Sequence, residues 1–144
     1  DLVIEGLFGL LGVPRPSYLD IGAFDPIRSN NTYLFYRSGG RGVLVEPNVA
    51  MTDRLRAKRP GDTVLVAGIG TDDTAEADYY VLNYEQLNTF DKEQVDRLVR
   101  EDGVAVTQVV KMPLLNINRV IAEHFGGAAP DLLSIDIEGL DYDV

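Results

Sequence analysis

Short and almost wholly apolar runs alternate along the chain with longer amphipathic segments. A continuous apolar run bounded by turn residues predicts a strand that is buried on both faces, whereas apolar residues recurring every three or four positions predict a helix. These patterns predict strands at 17–21, 42–45, 63–67, 77–82, 104–112 and 132–137. They predict helices at 2–13, 29–38, 49–59, 91–103 and 116–125.

Capping residues mark the ends of several predicted helices. Asp91 and Gln94 resemble a capping box, and Gly103 is a typical helix stop. Asn116 is a favourable N-cap for the last predicted helix. The alternation of strands and helices predicts an α/β fold, in which an open and mostly parallel sheet carries helices on both faces.

A chain of 144 residues has the usual size of one domain, so we expect a single domain over 1–144 with a leading helix and linker at 1–16. The apolar segment 2–13 is too short to span a bilayer and lacks the basic start of a signal peptide, so no membrane insertion is expected. An open sheet of this type normally continues after a strand at 132–137. We therefore expect the sheet to be truncated at Val144.

Charge and cysteine content narrow the classes of partner. The formal net charge of −10 opposes binding to phosphate backbones, because nucleic-acid affinity depends on many Lys and Arg contacts. DNA, RNA and anionic membrane surfaces are therefore not expected partners. The chain has no cysteine, which excludes disulfides, thiolate zinc sites and cysteine nucleophiles, and a cytoplasmic location is the default expectation.

Polar residues and glycines that follow the predicted strands are the candidates for a binding site. In an open parallel sheet, ligands bind outside the carboxyl ends of the strands, where the strand order reverses. This rule selects the segment 20–23 after the first strand, Glu46 after the second, and the predicted turn 68–70 after the third. It also selects Asp136 and Glu138 after the last strand.

The glycine pattern after the first strand separates two nucleotide ligands. A dinucleotide loop of the type G-x-G-x-x-G would need glycines where this chain has Phe24 and Ile27, counting from Gly22. Bulky side chains at these positions obstruct the approach of a pyrophosphate. S-adenosylmethionine contains no phosphate and is therefore compatible with them. Glu46 has the position of an acid that accepts hydrogen bonds from ribose hydroxyls in both ligand classes. The pattern favours the methyl donor and leaves an NAD-type oxidoreductase as the alternative.

Asp136 and Glu138 are two residues apart, so in a continuing strand their side chains would project to the same side. Two such carboxylates can act as acid and base, or can bind a divalent metal ion. The alternative interpretation is an exposed strand end followed by an acidic helix start. We take both residues as catalytic candidates.

Four segments together resemble a known family: 18–23, 29–36, 42–48 and 131–139. They are similar to the FkbM family of methyltransferases, within the Rossmann-like enzymes that use S-adenosylmethionine. The resemblance implies methyl transfer to an oxygen, on a small-molecule acceptor such as a sugar or natural product, or on a glycolipid or other glycan.

The resemblance also implies roles for individual residues. Asp20, Gly22 and Ala23 would line the methionine part of the donor, Glu46 would hold its ribose, and Gly68 would lie near its adenine.

Two further donor contacts follow from the resemblance. Asn31 and Thr32 would lie near the donor carboxylate, and Asp136 would face both the donor and the reaction centre. A non-catalytic α/β module used for assembly is a further alternative, and the sequence leaves the oligomeric state open.

Overall fold

The computed structural model describes residues 2–71 and 75–137 of the chain. Within this part the strands are β1 (Ser17–Ile21), β2 (Arg41–Val45), β3 (Thr63–Leu65), β4 (Gly68–Gly70), β5 (Glu76–Leu82), β6 (Val106–Asn116) and β7 (Leu132–Ile135). The helices are α1 (Leu2–Leu10), α2 (Tyr33–Arg37), α3 (Val49–Lys58), α4 (Lys92–Glu101) and α5 (Ile117–His124), with a short 3-10 helix at Glu85–Leu87.

The central sheet is wholly parallel and has the order β3-β2-β1-β7. The chain passes from β1 outward to β2 and β3, and then crosses to the other side of β1 for β7. The strand order therefore reverses between β1 and β7, which is where an open α/β sheet forms its ligand crevice. At the opposite end of these two strands, the backbone N–H and hydroxyl of Ser17 both donate to Asp131, at 2.8 and 2.7 Å.

Alternate residues of the central strands pack into two cores. Tyr18 and Leu44 lie with Phe35 of α2 and Leu55 of α3, and Phe8 of α1 packs against this cluster. The opposite face forms a second cluster, which α5 covers. Its buried residues are Leu19, Ile21, Val43, Val45, Ala67, Ile69, Ile117 and Val120. Helices on both faces of a mostly parallel sheet confirm the predicted α/β fold class.

A second sheet has the order β4-β6-β5. β4 pairs in parallel with β6, and β5 runs antiparallel to β6 over almost its whole length. α4 covers part of this sheet through a cluster of Leu82, Val95 and Val104. The sequence patterns predict the strands of this sheet apart from β4 but do not predict that they pair separately from the central sheet.

The helix predicted at 29–38 is shorter in the structure, where α2 begins at Tyr33. Ser29 has a φ of 50°, which is incompatible with a right-handed helix. Thr32 is the N-cap residue of α2 but makes no side-chain capping hydrogen bond, and the side chains of Asn30 and Thr32 contact buried groups instead. The segment before α2 is therefore a loop held by side chains.

Other predicted boundaries also change: the helix predicted at 2–13 ends at Leu10, and the strands predicted at 104–112 and 132–137 are Val106–Asn116 and Leu132–Ile135. The strand predicted at 63–67 ends at Leu65, and the predicted turn at 68–70 is β4, paired with β6. The capping box of α4 is half formed, because Asp91 accepts from the backbone N–H groups of Glu93 and Gln94 but its own N–H donates to Thr89.

In the part of the chain that the structure describes, no helix has the length and apolarity that crossing a membrane requires.

A fully buried arginine organises the polar interior beside the central sheet. Arg59 donates from Nε to Asp62, from Nη1 to Asn30 and from Nη2 to the hydroxyl of Thr32, at 2.8, 2.8 and 2.9 Å. Thr32 in turn donates to the carboxylate of Asp20 at 2.6 Å. The side chains of Arg59 and Asp62 are both 0% exposed. This arginine network joins the end of α3 to the loop before α2.

Replacing Arg59 with Met tests the weight of this network. We expect Arg59→Met to lower the free energy of unfolding by about 3–5 kcal/mol, because the buried carboxylate of Asp62 would lose its countercharge. Urea unfolding followed by circular dichroism measures the change.

The matched control is Arg56→Met, which removes the exposed ion pair with Asp53 at the same sequence spacing. This variant should stay within about 0.5 kcal/mol of wild type. Equal losses in the two variants would contradict a special role for the arginine network.

Candidate active site

A cleft of about 610 Å³ opens at the carboxyl ends of the central strands and is walled on its far side by the second sheet. Such a volume is typical of a small-molecule or cofactor site. The central sheet and its following turns contribute Ile21, Gly22, Val45, Glu46, Asp136 and Ile137. The other wall includes Gly68, Ile69, Ala77, Tyr79, Asn88, Phe90 and Leu114.

Glu46 follows β2 and lines the cleft although it is only 3% exposed. One carboxylate oxygen accepts from the backbone N–H of Phe24, and the other accepts from that of Asn48, each at 2.8 Å. Each oxygen of a carboxylate can accept more than one hydrogen bond, so both keep acceptor capacity toward the cleft. Glu46 can therefore hold a ligand with two adjacent hydroxyl groups.

Burial raises the pKa of Glu46, and the charge of Asp20 raises it further. The backbone N–H groups of Asn48 and Phe24 act in the opposite direction, because they stabilise the ionised carboxylate. The pKa of Glu46 thus lies above the usual range of a glutamate. Its charge state therefore responds to pH nearer to neutrality than that of an exposed glutamate.

Gly22 and Asp136 meet at the point where the strand order reverses. Asp136 continues the pairing of β7 by donating from its backbone N–H to the carbonyl of Ile21 at 2.9 Å. Gly22 has a φ of 80°, and a Cβ at this position would collide with the carbonyl oxygen of Asp136. Glycine is therefore required by the turn and by the neighbouring backbone. Asp136 presents an exposed carboxylate at this end of the cleft.

Asp20, Ala23, Asn31 and Thr32 do not line the cleft. Asp20 and Thr32 are buried and bonded to each other, and Asn30 donates to the carbonyl of Ala23 at 2.9 Å. The contacts predicted between these four residues and a donor remain predictions. In the structure their hydrogen bonds fix the path of the loop between β1 and α2.

The environment of Asp20 is polar although it is buried. Burial raises the pKa of Asp20, and the hydroxyls of Thr32 and Ser134 lower it by stabilising the ionised form. Asn31 donates to the same Ser134 hydroxyl at 3.1 Å. β1, β7 and the loop before α2 are thus joined through one buried carboxylate.

The loop after β1 forms the outer lip of the cleft. Phe24 has a φ of 44°, a left-handed conformation that directs its N–H toward Glu46. Asp25 accepts from the backbone N–H groups of Ile27 and Arg28. The loop has no helix directly after Gly22, so the structure lacks the helix N-terminus on which dinucleotide folds bind a pyrophosphate.

Gly68 lies in β4 and lines the cleft, although the sequence predicts a turn there. A Cβ on this residue would come within 2.6 Å of Leu114 and 2.7 Å of Phe90. Glycine therefore allows the side chains of Leu114, on the paired strand β6, and Phe90 to pack closely over β4. The predicted grouping of Gly22, Glu46, Gly68 and Asp136 does occur around one cleft.

The sequence interpretation missed the aromatic wall of the cleft. Tyr79 and Phe90 have ring centroids 4.9 Å apart, tilted by 46°, and both line the cleft. Aromatic residues in a strand are usually packing residues, so the sequence alone does not assign Tyr79 to the site. The alternation of a strand places Tyr79 and Tyr80 on opposite faces, which is the signal that could have distinguished them.

Glu138, the second catalytic candidate, lies outside the described residues. Within the described ranges, no group of three or more carboxylate or histidine side chains is arranged to hold a metal ion.

Comparison with known proteins gives one family. The family model of the methyltransferase FkbM domain matches residues 20–144, a range that contains every residue of the cleft. No curated protein and no solved structure matches the chain. Because the match covers most of the chain and agrees with the α/β fold, the chain belongs to the family of FkbM methyltransferase domains.

Proposed function

We propose that this domain uses S-adenosylmethionine and transfers its methyl group to a hydroxyl oxygen of a small-molecule or glycan acceptor. The observation that carries the proposal is the buried carboxylate of Glu46, which faces the cleft beside Gly22 with acceptor capacity on both oxygens. The cleft also has the volume of a nucleoside-sized site. Sugars, glycolipids and natural products are the acceptor classes that the family suggests.

The order of the strands gives the orientation of the donor in this proposal. Asp136, Gly22, Glu46 and Gly68 follow β7, β1, β2 and β3, which are successive strands of the sheet. With the ribose at Glu46, the methionine part extends toward Gly22 and Asp136, and the adenine extends toward Gly68. Asp20, Ala23, Asn31 and Thr32 support the loop that encloses the donor.

The bound donor supplies an electrophilic methyl group on a sulfonium. The role of the protein is to hold an acceptor oxygen in line with that methyl, since positioning supplies much of the rate in such displacements. Asp136 is exposed to the cleft beside Gly22, and in this proposal its carboxylate accepts the proton that the hydroxyl loses.

Ligand binding distinguishes this proposal from a nucleotide-dependent oxidoreductase. We expect titration calorimetry to show binding of S-adenosylhomocysteine and none of NADH, because the loop after Gly22 offers no helix N-terminus to a pyrophosphate. Binding of NADH alone would refute the proposal. Binding of neither would favour an assembly module.

Glu46→Gln tests the ribose contact. We expect S-adenosylhomocysteine to bind about 10–100-fold more weakly, as the loss of a hydrogen bond to a charged acceptor implies. The affinity of the wild-type protein for S-adenosylhomocysteine should also fall as the pH is lowered, because protonation of Glu46 removes an acceptor. Since burial raises the pKa of Glu46, this fall should begin at a higher pH than an ordinary glutamate would give.

Calorimetry over a pH series measures both effects. Glu46→Gln should lack this part of the pH dependence, whereas the control Glu93→Gln, which makes the same charge change at an exposed position on α4, should behave as wild type. A folded Glu46→Gln variant with wild-type affinity would remove the ribose assignment.

Asp136→Asn tests the proposed base. We expect kcat to fall by about 10²–10⁴-fold, the range for loss of a positioned general base. Affinity for S-adenosylhomocysteine should change far less, because the amide keeps the size of the side chain. Methyl transfer from radiolabelled donor to a monosaccharide that wild type methylates measures kcat, and an unchanged kcat would exclude Asp136 as the base.

A further inference from the structure

Asn88 presents an unsatisfied buried donor at the cleft. Its Oδ1 accepts from the backbone N–H of Leu82 at 2.8 Å, which fixes the orientation of the amide. Its Nδ2 is buried and makes no hydrogen bond to any described residue. Asn88 also lines the cleft. A buried N–H donor without a partner is costly, so a site of this kind is typically completed by a ligand or a bound water.

The neighbours of Asn88 favour a flat, uncharged ligand group. Tyr79 is 5% exposed and its ring packs against Phe90, so this wall of the cleft is aromatic. Burial raises the pKa of Tyr79, and the charge of Glu46 raises it further. The amide of Asn88 lies close enough to the Tyr79 hydroxyl to lower that pKa, without the geometry of a hydrogen bond. Tyr79 therefore remains neutral and lies near both Glu46 and Asn88.

The position of Asn88 along the cleft determines which part of a bound ligand it can contact. Phe90 packs against Gly68, which follows β3, and Tyr79 interacts with Glu46, which follows β2. Asn88 is thus at the end of the cleft formed by β2 and β3. The reacting end lies beyond Glu46, at Gly22 and Asp136, so Asn88 is placed away from the methyl group and the acceptor.

We propose that Asn88 recognises the adenine of the donor by donating from Nδ2 to one of its ring nitrogens, with Tyr79 and Phe90 forming the apolar wall beside the base. This inference rests on the proposed function and extends it to a specificity-determining residue on the segment between β5 and α4. Adenine fits because its ring nitrogens are acceptors and its faces are apolar. The ammonium group of the methionine part has no acceptor to offer to Nδ2, and its carboxylate would be desolvated against the rings of Tyr79 and Phe90.

Asn88→Asp provides the test, because its carboxylate can still accept from Leu82 but presents an acceptor where Asn88 presents a donor. We expect calorimetry to show S-adenosylhomocysteine binding at least about tenfold more weakly to this variant than to wild type. The control is Gln94→Glu, the same amide-to-acid change at another amide with a buried unpartnered atom that does not line the cleft. It should bind within about twofold of wild type.

A second measurement compares ligand analogues on the wild-type protein, so it does not depend on whether Asn88→Asp folds. Among the 1-deaza, 3-deaza and 7-deaza analogues of S-adenosylhomocysteine, one should bind wild type about tenfold more weakly than the parent ligand, since it lacks the acceptor for Asn88. Asn88→Asp, if folded, should no longer favour the parent over that analogue.

The outcomes separate the two proposals. Wild type that binds no S-adenosylhomocysteine would overturn the proposed function together with this inference. Wild type that binds it but does not distinguish the three analogues from the parent would overturn the adenine contact alone, and would assign the Nδ2 of Asn88 to a bound water. Wild-type affinity in a folded Asn88→Asp variant would also overturn the contact alone.

Discussion

The loop between β1 and α2 forms the lip of the cleft without a regular hydrogen-bonded backbone, and the buried arginine network keeps it in place. The guanidinium of Arg59 reaches Asn30 and Thr32 from the far end of α3, and its charge is balanced by Asp62. A buried hydrogen-bonded network of this kind is rigid, because any displacement would leave a buried polar group without a partner. The shape of the cleft thus depends on a charge that never contacts it.

Glu46 also holds backbone segments in place, and it does so at the cleft itself. Its two oxygens fix the loop after β1 through Phe24 and the start of α3 through Asn48, while the residue also lines the cavity. The cleft is therefore shaped by the protein alone. A ligand that binds there has little ordering of the loop to offset, which increases the affinity obtained from each contact.

The sequence predicts the central sheet well because strands that are buried on both faces are visible in the sequence as continuous apolar runs. β1 has the predicted bounds, and Gly22 and Glu46 lie together because the ends of parallel strands meet. The start of α2 at Tyr33 is not predicted, since Asn30 and Thr32 are held by Arg59, which is distant in sequence, and no local pattern reveals this contact. Asn88 is not predicted as a site residue for a related reason. The periodicity of apolar residues does not show which strands pair, so it does not show that the second sheet lies at the cleft.

The pairing of β1 with β7 has a consequence for the order in which the domain is built. Tyr18 lies opposite Leu132, and Ser17 is hydrogen-bonded to Asp131, so the centre of the sheet joins segments from near the two ends of the described chain. Contacts at such separation form slowly, because a long loop must close before they contribute. During synthesis β1 leaves the ribosome long before β7, and until β7 arrives one edge of β1 is unpaired. This edge is where a nascent chain would need protection from aggregation.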